Sequence, residues 1–193
     1  MILPAFRRNP HSRSIHALYG MIVAQARSPA FYAGYGVPDT VQGRFDLIVL
    51  HLVLVLARLH RDDVPGPGRG WNSRAKPARS LGQGLFDAFC RDLDDNLREM
   101  GVGDLAVPRE MRRFGEAFYG RQAAYREALA AADDREVEKA LARNIFEAAG
   151  IDDRAARLAR YVRAAAKLLD TAEEDALIAG RVVFPSPEAF ANA

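Results

Sequence analysis

Apolar residues recur along this chain at three- and four-residue spacings, and the pattern breaks at prolines and glycines. That is the mark of a succession of amphipathic helices. Leu18, Ile22, Val23 and Ala26 form the stripe of a first helix from about Ile15 to Arg27, with Ser14 placed to cap it. Pro29 opens a short second helix carrying Phe31, Tyr32 and Tyr35, which Gly34 and Gly36 close. A third helix runs from about Val41 to His60, with Asp39 or Thr40 as its cap. It is apolar nearly all round, from Phe45 through Leu56, and such a helix belongs at the centre of a bundle. β-Branched residues would also suit a strand, but the run is too long for one and has no strand to pair with.

Residues 61–79 lose all periodicity and read as a long Gly/Pro loop, with Trp71 as an isolated anchor. Helical spacing resumes from about Ser80 to Met100, with Leu81, Leu85, Phe86, Phe89, Leu93, Leu97 and Met100 on the inward stripe. Gly101 and Gly103 end this fourth helix, and Pro108 opens a fifth with Met111, Phe114, Phe118, Gln122, Tyr125 and Leu129 facing inward. Gly115 and Gly120 each cost a helix interior about 1 kcal/mol, which predicts close approach of a neighbouring helix. A sixth helix spans about Arg135–Ala148 and a seventh about Asp152–Ile178, followed by an extended tail with two prolines. The pattern therefore predicts an all-α, single-domain bundle of about six to seven helices. Its parts are a flexible N-terminus at 1–14, a helical domain at 15–180 and a tail at 181–193.

The 193 residues carry 27 basic and 25 acidic side chains, a net charge of +2. A balance this even argues against a nucleic-acid binder, which needs clustered, uncompensated cations. The cations are overwhelmingly arginines, suited to bidentate pairing with carboxylates. Cys90 is the one cysteine, so no internal disulfide is possible, and its neighbours Phe86, Phe89 and Leu93 make it a small core hydrophobe rather than a nucleophile. The N-terminal residues are too polar after Phe6 for a signal peptide, and the apolar run Leu47–Ala57 is too short to span a bilayer.

Candidate chemistry is sparse. Asp87, Asp92, Asp94, Asp95 and Glu99 form an acidic cluster on the fourth helix, and aspartates one turn apart can hold Mg²⁺. This gives an alternative reading, a metal-dependent all-α enzyme using residues 87–99. Against it, no second acidic helix answers the first, and Arg91–Asp95 and Asp94–Arg98 stand at ion-pairing separation. His51, alone on an apolar helix, reads as a hydrogen-bonded core residue rather than a haem or metal ligand. Gly66, Gly68 and Gly70 follow no strand and make no phosphate loop, and no Gly-x-Ser-x-Gly elbow occurs. Arg44 and Arg121, each beside aromatics, are expected to join Asp87, Asp92 or Asp104 in networks holding the third, fourth and fifth helices in register.

Two stretches carry more than periodicity. The first is Val37-Pro38-Asp39-Thr40, Gly43-Arg44-Phe45-Asp46 and Leu50-His51. The second runs through Leu85-Phe86-Asp87, Asp92-x-Asp94 and Leu97 to Asp104, then Val107-Pro108 and Phe118-Tyr119-Gly120-Arg121. Together with Tyr19 and Ala26-Arg27-x-Pro29-x-Phe31-Tyr32, they resemble the ubiquinol–cytochrome c chaperone family over about Ile15 to Leu129. The resemblance implies a non-enzymatic all-α chaperone for assembly of the cytochrome bc1 complex, without cofactor, metal or small-molecule substrate. Its client would be newly made cytochrome b, with the ribosome and the membrane surface as further candidate partners and no specific nucleic-acid ligand. Without a clear presequence or anchor, the chain resembles a bacterial member acting peripherally at the inner face of the cytoplasmic membrane.

For that role the client-binding candidates are Phe31, Tyr32, Tyr35, Met100, Met111 and Tyr119, in a groove flanked by the third to fifth helices with loop 61–79 as its lip. The candidate charge network is Asp39, Arg44, Asp87, Asp92, Asp94, Arg98, Glu99, Asp104 and Arg121.

Overall fold

A computed structural model describes residues 11–61 and 77–191. The described residues form nine helical segments: α1 (Ser12–Ala26), α2 (Pro29–Ala33), α3 (Val41–His60), α4 (Pro77–Glu99), α5 (Val107–Ala130), α6 (Asp134–Asn144), α7 (Asp153–Asp170), α8 (Glu174–Ile178) and α9 (Glu188–Ala191). The all-α bundle stands as expected, but the count exceeds six to seven. Single turns, α8 and α9, account for the excess. The Gly/Pro loop and Trp71 fall almost wholly outside the described residues. At the edges of that loop the helices reach further than expected, α4 starting at Pro77 rather than Ser80 and α1 at Ser12 inside the stretch expected to be flexible.

Helix α3 is the axis of the bundle, with α1, α4, α5 and α7 packed around it. Its start is set locally. Thr40, in extended conformation, accepts the Gly43 N–H at 3.1 Å. Gly43 passes so close to the preceding segment that a Cβ there would lie 2.1 Å from the Pro38 carbonyl oxygen.

The helix is buried almost throughout, including three polar residues, Asp46, His51 and Arg58. Each must find a partner on another element, because an unpaired polar group in this setting costs about 1–3 kcal/mol or more. His51 Nδ1 donates to the Leu47 carbonyl at 2.7 Å, which fixes the tautomer, since a carbonyl only accepts. Nε2 therefore accepts the Tyr161 hydroxyl of α7 at 2.8 Å, and the Tyr161 oxygen in turn accepts Gln25 Nε2 of α1 at 3.1 Å. Full burial pulls the His51 pKa down to about 4, so the ring is neutral in this chain of bonds. Both ring nitrogens are occupied, which leaves neither for a haem or a metal.

Arg58 explains a departure from the expected seventh helix. Its Nε donates to the Leu169 carbonyl at 3.1 Å and its Nη2 to the Ala172 carbonyl at 2.5 Å. A cation seated on the terminal carbonyls complements the helix dipole and satisfies groups that would otherwise continue the helix. The expected single helix 152–178 accordingly stops at Asp170, and α8 begins after a turn. The sixth helix also ends early, at Asn144, ahead of a turn in which Glu147 has φ +49°.

The tail is extended only as far as Pro187 and is packed onto the bundle. Val182 is buried, Phe184 stands edge-on to His51 at 5.2 Å, and Phe190 of α9 meets Tyr161 at 6.2 Å. Gln25 Nε2 donates to the Pro185 carbonyl at 3.1 Å and the Tyr35 hydroxyl to the Pro187 carbonyl at 2.6 Å. The tail is thus a strap over a buried aromatic cluster of Phe31, Tyr35, His51 and Tyr161.

Replacing Tyr161 with Phe removes the hydroxyl that joins α1 to α3 while keeping the ring. The expected cost is about 1–3 kcal/mol in urea unfolding, from the orphaned His51 Nε2. Amide exchange in residues 182–191 should quicken at the same time. An unchanged midpoint would contradict the network.

Candidate functional site

Helices α4 and α5 form a hairpin whose turn is built by local bonds. The Gly101 N–H bonds to the Arg98 carbonyl and the Val102 N–H to the Leu97 carbonyl, both at 3.0 Å. Gly101 sits at φ +81°, the left-handed geometry that closes a helix with this pair of bonds. Arg98 then bridges Asp94, at 2.8 Å, and Asp104 beyond the turn. Beneath the hairpin the sequence aromatics interlock. Phe86 packs on Phe118 (4.8 Å) and Tyr119 (5.9 Å), and Phe45 of α3 on Phe89 (6.0 Å) and Phe114 (4.9 Å).

The hairpin leaves several large apolar side chains outside. Leu105 at the turn is 99% exposed, Tyr119 59% and Met100 55%, with Met111 half-buried in the first turns of α5. Exposed charge of both signs surrounds the apolar side chains: Arg109, Arg112, Arg113 and Glu116 on α5, and Asp87, Arg91, Asp95 and Arg98 on α4. Gly115 and Gly120 add a flat stretch of backbone. The close helix approach expected at these glycines is not there, since a Cβ at either position would meet nothing within 4 Å. Their helix-weakening cost is not recovered by packing against a neighbouring helix within the chain.

The client-binding candidates divide accordingly. Met100, Met111 and Tyr119 lie on the hairpin, and Leu105, missed in the sequence, lies with them at the turn. Phe31 and Tyr35 are fully buried beneath the C-terminal strap and offer no surface. Tyr32 is half-buried and spends its hydroxyl on the Ala26 carbonyl, at 3.2 Å, closing α1. A five-residue helix is too short for periodicity to say which aromatics point inward.

The expected charge network is not one network. Arg44 pairs with Asp39 five residues earlier, at 2.8 Å on the exposed surface, rather than with α4. Arg121 pairs with Asp46 of α3 at 2.8 Å, and Gln42 Nε2 holds the same carboxylate at 3.0 and 3.1 Å. Asp92 accepts the Tyr19 hydroxyl of α1 at 2.7 Å, Asp87 accepts from Gln83 at 2.8 Å, and Glu99 is exposed. The α4 acids are therefore dispersed. No group of three or more His, Cys, Asp or Glu among the described residues could hold a metal ion. Cys90 is half-buried, and burial together with Asp87 raises its thiol pKa.

Among the described residues, Arg121–Asp46 is the buried ion pair that links α3 to α5. Asp46 is 2% exposed, and burial outweighs Arg121 to push its pKa up to about 6. The Arg121 guanidinium also stands 5.7 Å over the Phe45 ring, which fixes the aromatic stack beneath the hairpin.

The family described as Ubiquinol-cytochrome C chaperone matches residues 33–184. Ubiquinol-cytochrome-c reductase complex assembly factor 1 of Xenopus laevis is 26% identical over 169 residues, 86% of this chain and 78% of that protein. Its Drosophila melanogaster counterpart is 26% identical over 166 residues, 84% of this chain and 60% of that protein. The crystal structure of the Cbp3 homolog from Brucella abortus superposes with a TM-score of 0.80 at 35% identity, covering 98% of this chain and 99% of that one.

The pKa values of His51 and Asp46 give opposite pH dependences. As pH falls from about 6.5 to 4, the unfolded chain protonates His51 and the folded chain does not, so stability is lost across that window. Folded Asp46 takes up its proton near pH 6, earlier than in the unfolded chain, so its burial favours folding in acid and this gain is lost as pH rises through 6. Asp46→Asn should therefore steepen the loss of urea stability between pH 6.5 and 4. An unaltered slope would refute the assignment. Arg121→Met at neutral pH should cost roughly 3 kcal/mol, recovering as the pH is lowered and Asp46 becomes neutral.

Proposed function

The chain belongs to the ubiquinol–cytochrome c chaperone family, and from that membership we infer that it assists assembly of the bc1 complex by holding newly made cytochrome b, without catalysing a reaction. The observation that carries the client half of this reading is the α4–α5 hairpin. It exposes Leu105, Met100 and Tyr119 beside unpacked backbone at Gly115 and Gly120, within a rim of charges of both signs. A client whose transmembrane helices are not yet in their complex presents apolar surface that needs cover. Adaptable methionines and a half-anchored tyrosine suit a surface that must fit and then release. Charged edges keep the free chaperone soluble and set the orientation of docking.

The contact set we propose is Met100, Leu105, Met111 and Tyr119, with Phe86 supporting the Tyr119 ring from below. Asp39, Arg44, Asp87, Asp94, Arg98, Glu99 and Asp104 act as surface charge around or near it. Asp92 and Arg121 act inside the protein, holding α4 to α1 and α5 to α3. The working unit is the helical body from about residue 15 to 180, together with the tail strapped onto it. No helix among the described residues is long and apolar enough to cross a membrane. We place the action of the chain at the inner face of a bacterial cytoplasmic membrane, where its client is inserted.

Deleting the chain should lower b-type cytochrome absorbance in membranes, and normal levels would refute the role. Photo-crosslinkers at Leu105 and Tyr119 should capture cytochrome b, whereas one at Arg135 on α6 should not. Tyr119→Asp should weaken co-purification of the client about tenfold or more, the usual cost of removing a central aromatic contact, with no loss of fold. Undiminished capture would remove the hairpin from the interface.

A further inference from the structure

A second feature lies at the far end of α5, about 27 Å along the helix from Met111 at the usual rise per residue. There α3, α5 and α7 diverge around a cleft of about 470 Å³. Its floor is apolar, formed by Leu54, Leu129, Ala166 and Leu169. Its walls carry Arg58, Arg61, Arg163 and Lys167, against one carboxylate in the lining, Asp170. The volume falls in the range of small-ligand sites.

Two of the cations are fixed in place by the fold. Arg58 is buried on the last carbonyls of α7. Arg163 donates to the Leu129 and Ala131 carbonyls at the end of α5, at 2.8 and 2.7 Å, and to Asp134 at the start of α6. Those carbonyls are neutral. The helix ends offset each guanidinium by about half a unit of charge, and Asp134 and Asp170 pair with Arg163 and Arg61, so the positive surplus that remains in the walls rests mainly on Arg58 and Lys167. Arg61 is exposed and pairs with Asp170 at 3.3 Å, and Lys167 is exposed on the rim. Leu168, next to Lys167, is 38% exposed.

We propose that this cleft binds the headgroup region of an anionic phospholipid at a bilayer surface. The cations match the phosphate, the leucine and alanine floor matches the first carbons of the acyl chains, and exposed Leu168 beside Lys167 suits an interface that is apolar on one side and anionic on the other. A free phosphate compound would need the cations but not the floor. The site is separate from the hairpin, so it would hold the chain at the membrane with the client surface free.

The test is co-sedimentation of the full chain with vesicles of phosphatidylcholine alone or mixed with phosphatidylglycerol. Binding is expected only to the mixed vesicles. Lys167→Glu and Arg61→Glu, both at exposed positions, should each weaken it by roughly tenfold, the effect of reversing one charge near an anionic surface. Arg112→Glu, on the hairpin, should not. Equal loss with Arg112→Glu would mean a diffuse charge effect and overturn the site. So would an absence of binding to the mixed vesicles. Release of the chain from vesicles by millimolar glycerol 3-phosphate would assign the cleft to a soluble phosphate instead of a lipid. Because no client is present, none of these results depends on the hairpin reading.

Discussion

The arrangement of this bundle depends on one constraint: the central helix is buried on every side yet carries Asp46, His51 and Arg58. Each must be answered from another element, and the helical repeat decides which. His51 and Arg58 are seven residues apart and share a face, and both are met by α7, through the Tyr161 hydroxyl and the terminal carbonyls. Asp46 stands about 140° around the axis from His51 and is met by Arg121 of α5. A purely apolar α3 would bury its surface in many orientations. The three polar groups leave few, which is how buried polar contacts buy specificity at the expense of stability.

The same constraint connects the core to the hairpin. Arg121 follows directly from the stretch that carries Phe118 and Tyr119, and its guanidinium touches both the buried carboxylate and the Phe45 ring. The aromatic stack under the hairpin is therefore held from inside the bundle rather than by its own surface contacts. A rigid base with adaptable side chains on top is the combination expected of a surface that receives a changing client.

Much of this was legible in the sequence, for physical reasons that differ by element. The bounds of α3 follow from local chemistry, which narrows its cap to Asp39 or Thr40, and the α4–α5 turn follows from its glycines. The resemblance to the chaperone family rested on residues that prove to be caps, turns and buried partners, among them Thr40, Gly43, Asp46 and Gly101. What failed was tertiary. The break in the seventh helix comes from Arg58, more than a hundred residues away, so no local pattern announces it. Arg44 was assigned to α4 but pairs within its own turn. Asp46, two residues on, takes Arg121 of α5 as its partner. The signal was there, since a carboxylate inside an otherwise apolar run needs a cation from elsewhere. Gly115 and Gly120 predict a close neighbouring helix, whereas a side chain added at either would face open space.

The strap has a temporal consequence. Gln25 and Tyr35 find their carbonyl partners at Pro185 and Pro187, separated from them by 160 and 152 residues. During synthesis these side chains, made early, have nothing to close over them until the far end of this stretch emerges. Native closure of the aromatic cluster is therefore a late, non-local event, slow relative to formation of the helices it joins. A ribosome-bound chain that has not yet delivered residues 182–191 would display that cluster to solvent and to quality-control proteases, so the strap sets the moment at which the core is first closed.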